Sequence, residues 1–193
     1  MSAIREQTWT VEKYLAFERA SEEKHEFLDG EVYALAGASW NHNLIVASTI
    51  ASLHGQLPKP SCKICPSDIR VKVSPTAYTY PDITIVCGTP LFEDGPPDTL
   101  VNPTVIVEVL SPSTEGHDRG KKFQEYRTLE SLQEYLLISQ DSHWIERYVR
   151  RDNGQWVLSD ATGVDGTLDL TSIQCTLRLA DVYEQISFET GQQ

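Results

Sequence analysis

The run PTVIVEVLS, residues 103 to 111, constrains the fold more than any other stretch of the chain. Four of the five residues from Val105 to Val109 are apolar strand formers, which is how a strand covered on both faces reads, and the fifth is Glu108. An ionised carboxylate taken out of water is among the costliest groups a core can hold. It requires a metal, a cation or a shifted pKa to compensate it. Whatever sheet this strand enters must therefore bring a partner to Glu108.

The run YPDITIV supplies a second acid. Side chains alternate along a strand, so Asp82, Thr84 and Val86 share one face, and in VIVEVL Ile106, Glu108 and Leu110 do the same. If the two strands are neighbours, Asp82 and Glu108 converge. Two carboxylates in low dielectric repel, so a divalent cation or a fixed ammonium belongs between them. A helix expected from about Asp118 to Leu129 offers Lys121 and Lys122. At about 100° per residue Lys122 falls roughly 40° from the centre of the buried stripe of Phe123, Tyr126 and Leu129, and Lys121 roughly 140° away. Lys122 thus points to the sheet, while Lys121 is placed for a solvent pair with Glu125. Asp118, one turn before Lys122 at the helix start, is a candidate further site residue, although the helix dipole alone would explain it. The competing reading of Asp82, Glu108 and Lys122 is a buried structural ion pair with no further role.

The remaining elements set the fold class. Thr10 caps an amphipathic helix, VEKYLAFERA, and HEFLDGEVYAL is a hairpin turned at Asp29-Gly30. NLIVASTIASLHGQL has the length and spacing of a buried helix stopped by Pro58 and Pro60. SDIRVKV (67 to 73), YPDITIVCG (80 to 88) and PTVIVEVLS are strands, and GTPLFEDGPPDTLVNP is a loop long enough to be functional or mobile. After the helix come QEYLLIS, HWIERYVR and QWVLSD, short strands near 167 to 178, and a last helical turn in LADVYEQI. With no repeat and no linker, the chain reads as a single domain, 1–193, of α+β class, with a mixed central sheet, an N-terminal helix and a β-hairpin.

Composition excludes several alternatives. The first thirty residues hold no apolar signal-peptide core, and no segment approaches the length of a membrane span, so a soluble, cytoplasmic protein without a membrane partner is expected. The four cysteines read as reduced thiols. Cys62-Lys-Ile-Cys65 lacks the second pair that a zinc site needs. A net charge of −12 counts against nucleic-acid binding through a broadly basic surface.

Tyr80-Pro81-Asp82-Ile83, the segment 107–114, Asp118, Lys122, Tyr126 and the pair Glu134-Tyr135 resemble the Uma-two family of restriction-endonuclease-like proteins, placed in the PD-(D/E)xK nuclease superfamily. The early segments 26–31 and 68–71, with His42 between them, match as well. The resemblance implies a restriction-endonuclease-like mixed sheet flanked by helices. It also implies that Asp82 and Glu108 hold Mg²⁺, with Mn²⁺ as a substitute, that the lysine activates water, and that the substrate is DNA. Pairing into a homodimer is common in that superfamily. The superfamily places its lysine two residues after the second acid, where this chain has Leu110. The lysine looks to have moved onto the helix, in agreement with Lys122.

The resemblance also marks Glu26 as a further acidic ligand or supporting partner, although a position ahead of the turn is equally an exposed strand site. His42 reads as a substrate contact or as hydrogen-bonded structure. Asp68 reads as a cleft residue or as a turn cap. Ser111-Pro112-Ser113-Thr114 reads as turn chemistry, Tyr126 and Trp144 as core or rim aromatics, and Arg147, Arg150 and Arg151 as a solvated cluster. Two functions follow: a Mg²⁺-dependent endonuclease, favoured by the retained acids and lysine, and a catalytically silent binding or regulatory module, favoured by the acidity.

Overall fold

In the computed structural model, described over residues 8–93, 98–112 and 114–188, Thr10 Oγ1 accepts the Lys13 N–H at 3.2 Å and opens helix α1 (Val11–Ala20). The hairpin β1 (His25–Leu28) and β2 (Glu31–Ala34) turns through Asp29 at φ 51° and Gly30 at φ 87°, the positive values that a tight hairpin demands. Helix α2 (Trp40–Gln56) begins three residues before the expected Asn43, because Ser39 serves as its cap and accepts the His42 N–H at 3.1 Å.

The single central sheet expected from the sequence is divided in two. One sheet has the order β2-β1-β5-β4-β7 and includes β4 (Arg70–Ser74), β5 (Ala77–Thr79) and β7 (Thr99–Leu100). The other runs β11-β10-β9-β8-β6-β3, from β11 (Trp156–Thr162), β10 (Trp144–Arg150) and β9 (Glu134–Ser139) through β8 (Val105–Leu110) and β6 (Ile83–Cys87) to β3 (Cys62–Pro66). Both sheets are mixed: β4 and β7 are parallel in the first, β8 and β9 in the second. The chain passes from one to the other at Tyr80-Pro81-Asp82, between β5 and β6. Pro81 has no N–H to continue a ladder, which suits a point where one sheet ends and the next begins. A hairpin of β12 (Thr167–Leu170) and β13 (Cys175–Arg178) leads into a final turn, α5 (Leu179–Val182).

Strand β8 is buried along its whole length. Val105, Val107 and Val109 pack with Ile45 and Leu53 of α2, while Ile106 and Leu110 pack with Val71 and Val73 of the other sheet and with Tyr126. Glu108 shares the second face, so its carboxylate faces the five-stranded sheet.

Three expectations are corrected here. The helix of 118 to 129 is instead α3 (Glu115–His117), a π-turn (Asp118–Lys122) and α4 (Phe123–Tyr126). It stops early because the Arg150 side chain takes the carbonyls of Arg127, Leu129 and Leu132 at 2.7, 2.5 and 2.8 Å, so Arg150 is a structural clamp and not a solvated cation. The cysteines are not all thiols. Register places Cys62 opposite Cys87 on neighbouring strands, where they form a disulfide, leaving Cys65 and Cys175 free. The long loop after β6 contains β7 and a bridge from Phe92 to Leu100, while its residues 94–97, like Ser113 of the serine-rich turn, lie outside the described residues. No helix among the described residues is long and apolar enough to cross a membrane.

Candidate active site

Register brings the two expected acids together. Ile83 pairs with Val107, which sets Asp82 beside Glu108 at the end of the β6–β8 ladder. The two side chains reach across each other's backbone: the Asp82 N–H donates to Glu108 Oε2 at 3.3 Å, and the Val109 N–H donates to Asp82 Oδ2 at 2.8 Å. Glu26 arrives from β1 in the other sheet, and its Oε1 accepts the Tyr80 N–H at 3.2 Å.

Lys122 lies between these sheets. Its Nζ is 3.0 Å from Glu26 Oε1, 3.1 Å from Glu108 Oε1 and 3.6 Å from Asp118 Oδ1. The π-turn explains the last distance, since it carries Asp118 and Lys122 toward the sheets together, and such turns concentrate at functional sites. Tyr126 donates its hydroxyl to Glu108 Oε1 at 2.7 Å and meets Thr79 Oγ1 at 3.1 Å. His42 Nε2 stands 3.1 Å from Asp82 Oδ2, so the first turn of α2 closes the other side of the acid pair.

The electrostatics follow from burial. Glu26 is 0% exposed, Asp118 2%, Glu108 4% and Lys122 6%. Burial pushes the Glu108 carboxyl up to about 8, with Lys122 opposing the rise and Asp82, Asp118 and Glu26 adding to it. Asp118 is raised for the same first cause. Burial alone would lower Lys122, but Glu108, Glu26, Tyr126 and Asp118 outweigh it and hold the ammonium well above its ordinary value. His117 moves down, through burial and then through Lys122. The site therefore holds more acid than its one lysine neutralises, and it is disposed to take up protons or a further cation.

Several sequence expectations change. Glu26 is not an exposed strand residue but a fully buried partner of Lys122. Asp118 is more than a helix-dipole acid, because it is enclosed beside the lysine. Asp68 is outside the cluster, exposed and paired with Lys24 at 2.8 Å. Lys121 pairs with Asp29 at 3.3 Å and not with Glu125, because the π-turn rotates it toward the hairpin. Tyr126 is a hydrogen-bond donor to Glu108, which its place in the apolar stripe concealed. Trp144 carries the Arg119 guanidinium 4.8 Å from its ring centre. Arg147 lies 3.7 Å from the buried Glu134 and is half-buried.

Among the described residues no group of three or more His, Cys, Asp or Glu side chains is arranged to hold a metal ion, since Lys122 occupies the centre that Glu26, Glu108 and Asp118 share. The donors themselves suit Mg²⁺, a hard cation that needs only one or two protein carboxylates beside water and phosphate oxygen. Within the cluster two carboxylate oxygens, Glu26 Oε2 and Asp118 Oδ1, are buried without a hydrogen-bond donor.

Paired acids at the end of a mixed sheet, with a lysine from the adjoining helix, define a restriction-endonuclease-like α+β protein. The fold is similar, at a TM-score of 0.72 and 18% identity over 91% of this chain and 97% of the other, to the crystal structure of a "putative nuclease belonging to DUF820" from Anabaena variabilis. The chain belongs to the Uma2 family, described as "Putative restriction endonuclease", whose pattern matches residues 11–180. It is similar to two proteins of Synechocystis sp., the uncharacterized proteins slr1290, 35% identical over 92% of each chain, and sll1609, 36% identical over 84% of this chain and 92% of that one.

Proposed function

We propose that this chain is a Mg²⁺-dependent endonuclease that hydrolyses phosphodiester bonds of DNA. The observation that carries the reading is the ammonium of Lys122 fixed by Glu26, Glu108 and Asp118 beside the acid pair Asp82 and Glu108. The cluster holds more carboxyl groups than its one ammonium can neutralise, an excess that supports a further cation there. Mg²⁺, held by Asp82 and Glu108, would supply Lewis-acid polarisation of the phosphate and a more acidic bound water.

The chain's own groups do the rest. Lys122 sets a positive charge where negative charge develops on the phosphoryl oxygens, and its three acids keep it from reorienting as that happens. His42 and the Val109 N–H fix the Asp82 carboxylate from two sides. The net charge of −12 argues for a local groove, or one assembled from two copies of the chain, as the DNA-facing surface. The same charge favours the second reading, a silent module that keeps the fold for binding or regulation.

Nicking of supercoiled plasmid with Mg²⁺ or Mn²⁺ separates the two. The wild type should nick, and Lys122→Ala and Asp82→Asn should each lose roughly 10²–10³-fold of the rate. Absence of cleavage on DNA and RNA of varied sequence with either ion would establish the module.

A further inference from the structure

Tyr80 is gripped by carboxylates at both of its polar ends. Its phenol donates to Glu18 Oε1 at 2.8 Å, and its main-chain N–H donates to Glu26 Oε1 at 3.2 Å. Glu18, near the end of α1, is a hub: its Oε1 also accepts the His25 N–H at 3.0 Å, and its Oε2 lies 3.0 Å from His25 Nδ1. His25 is fastened in turn by Tyr14, whose hydroxyl donates to the His25 carbonyl at 2.7 Å. Glu18 and His25 are 6% and 4% exposed, so this network is internal.

The network lies on the other face of β1 from the site, because His25 and Glu26 alternate along the strand. It reaches the acids through backbone. Tyr80 gives its N–H to Glu26, Pro81 has none to give, and Asp82 gives its own to Glu108. Alternate amides of one three-residue segment thus hold one acid from each sheet, and both of those acids hold Lys122. A shift of this segment would move Glu26, Asp82 and Glu108 together.

We propose that Tyr80 and Glu18 are positioning residues, a strut from α1 that fixes the backbone of 80–82 and with it the spacing of the three acids. Its consequence for metal binding rests on the nuclease reading above, but the positioning itself does not. Partners one step removed from a metal's ligands hold those ligands in place, and their loss typically weakens metal affinity by about 10–100-fold. The phenol of Tyr80 and the carboxylate of Glu18 stand one step further out, reaching Asp82 and Glu108 through the backbone of 80–82.

The test uses the whole chain with Tyr80→Phe and Glu18→Gln, and with Val182→Ala, a buried change in α5, as a control for lost stability. Amide hydrogen exchange without metal, at a temperature where every variant is folded, should show the Asp82 and Val109 amides exchanging at least tenfold faster in Tyr80→Phe and Glu18→Gln than in Val182→Ala. Calorimetric titration with Mn²⁺ should show about tenfold weaker binding in the same two variants and unchanged binding in the control. Exchange no faster than in the control would overturn the strut. Wild-type protein that takes up no Mn²⁺, with exchange still accelerated in the two variants, would leave the strut standing and remove the metal reading instead.

Discussion

Glu26 and Glu108 belong to different sheets, and one ammonium bridges them: Lys122 Nζ is 3.0 Å from the first and 3.1 Å from the second. The junction of the two sheets is therefore electrostatic at its centre, while apolar packing surrounds it. Removing one member of such a group leaves uncompensated buried charge, which costs far more than the group contributes over an apolar replacement.

Lys122→Met should accordingly destabilise the fold by about 3–5 kcal/mol, read from urea unfolding at pH 7.5. Adding Glu26→Gln to Lys122→Met should restore part of that loss, because one of the stranded charges disappears. A single variant within 1 kcal/mol of wild type would mean that the acids find another cation.

The pH dependence has a definite sign. Glu108 titrates near 8 when folded and near its ordinary value of 4.5 when unfolded, so between those limits the folded chain binds the extra proton. Stability from this group is complete below about pH 4.5, falls as pH rises, and levels off above about 8, with a limiting slope of about 1.4 kcal/mol per pH unit. Glu108→Gln cannot release that proton. Its urea midpoint should decline less steeply than that of wild type between pH 5 and 8, and parallel curves would refute the assignment.

The sequence carried some of this and hid the rest. Glu108 and Asp82 were legible because a carboxylate inside an apolar run has few explanations, and Lys122 because helical spacing turned it inward. Glu26 was not separable from a solvated strand acid, since HEFLDG gives no sign that a second sheet covers it. Asp118 was legible in position, one turn before Lys122, but its burial was not, because the helix dipole suffices to explain an acid at a helix start. Tyr126 read as core because its ring is core and only its hydroxyl serves the site. The division into two sheets lies in Pro81, whose missing N–H was readable but whose effect depended on which strands flanked it.

The disulfide makes a separate prediction. Cys62 and Cys87 close a loop of 25 residues in sequence separation, and such a closure stabilises by about 3 kcal/mol through the unfolded chain. Cys62→Ser/Cys87→Ser should lose about that much, and reductant should bring wild type to the same midpoint. Denatured, unreduced wild type should titrate for the free thiols Cys65 and Cys175 alone. Four reactive thiols would return the pair to the reduced state expected from composition.

Tyr126→Phe isolates one hydrogen bond of the cluster. The ring and its packing on Tyr135 remain, with centroids 5.2 Å apart in the native chain, while Glu108 Oε1 loses a donor at 2.7 Å and Thr79 loses its partner. A hydroxyl donated to a carboxylate favours the ionised form, so its removal should raise the Glu108 pKa further above about 8. The cost in stability should be about 1–3 kcal/mol, and greater at pH 9 than at pH 6, because the lost donor matters most when Glu108 is charged. Side-chain carboxyl ¹³C shifts followed against pH report the titration directly. An unchanged Glu108 midpoint in this variant would show that burial and the neighbouring charges set its charge state without help from the tyrosine hydroxyl.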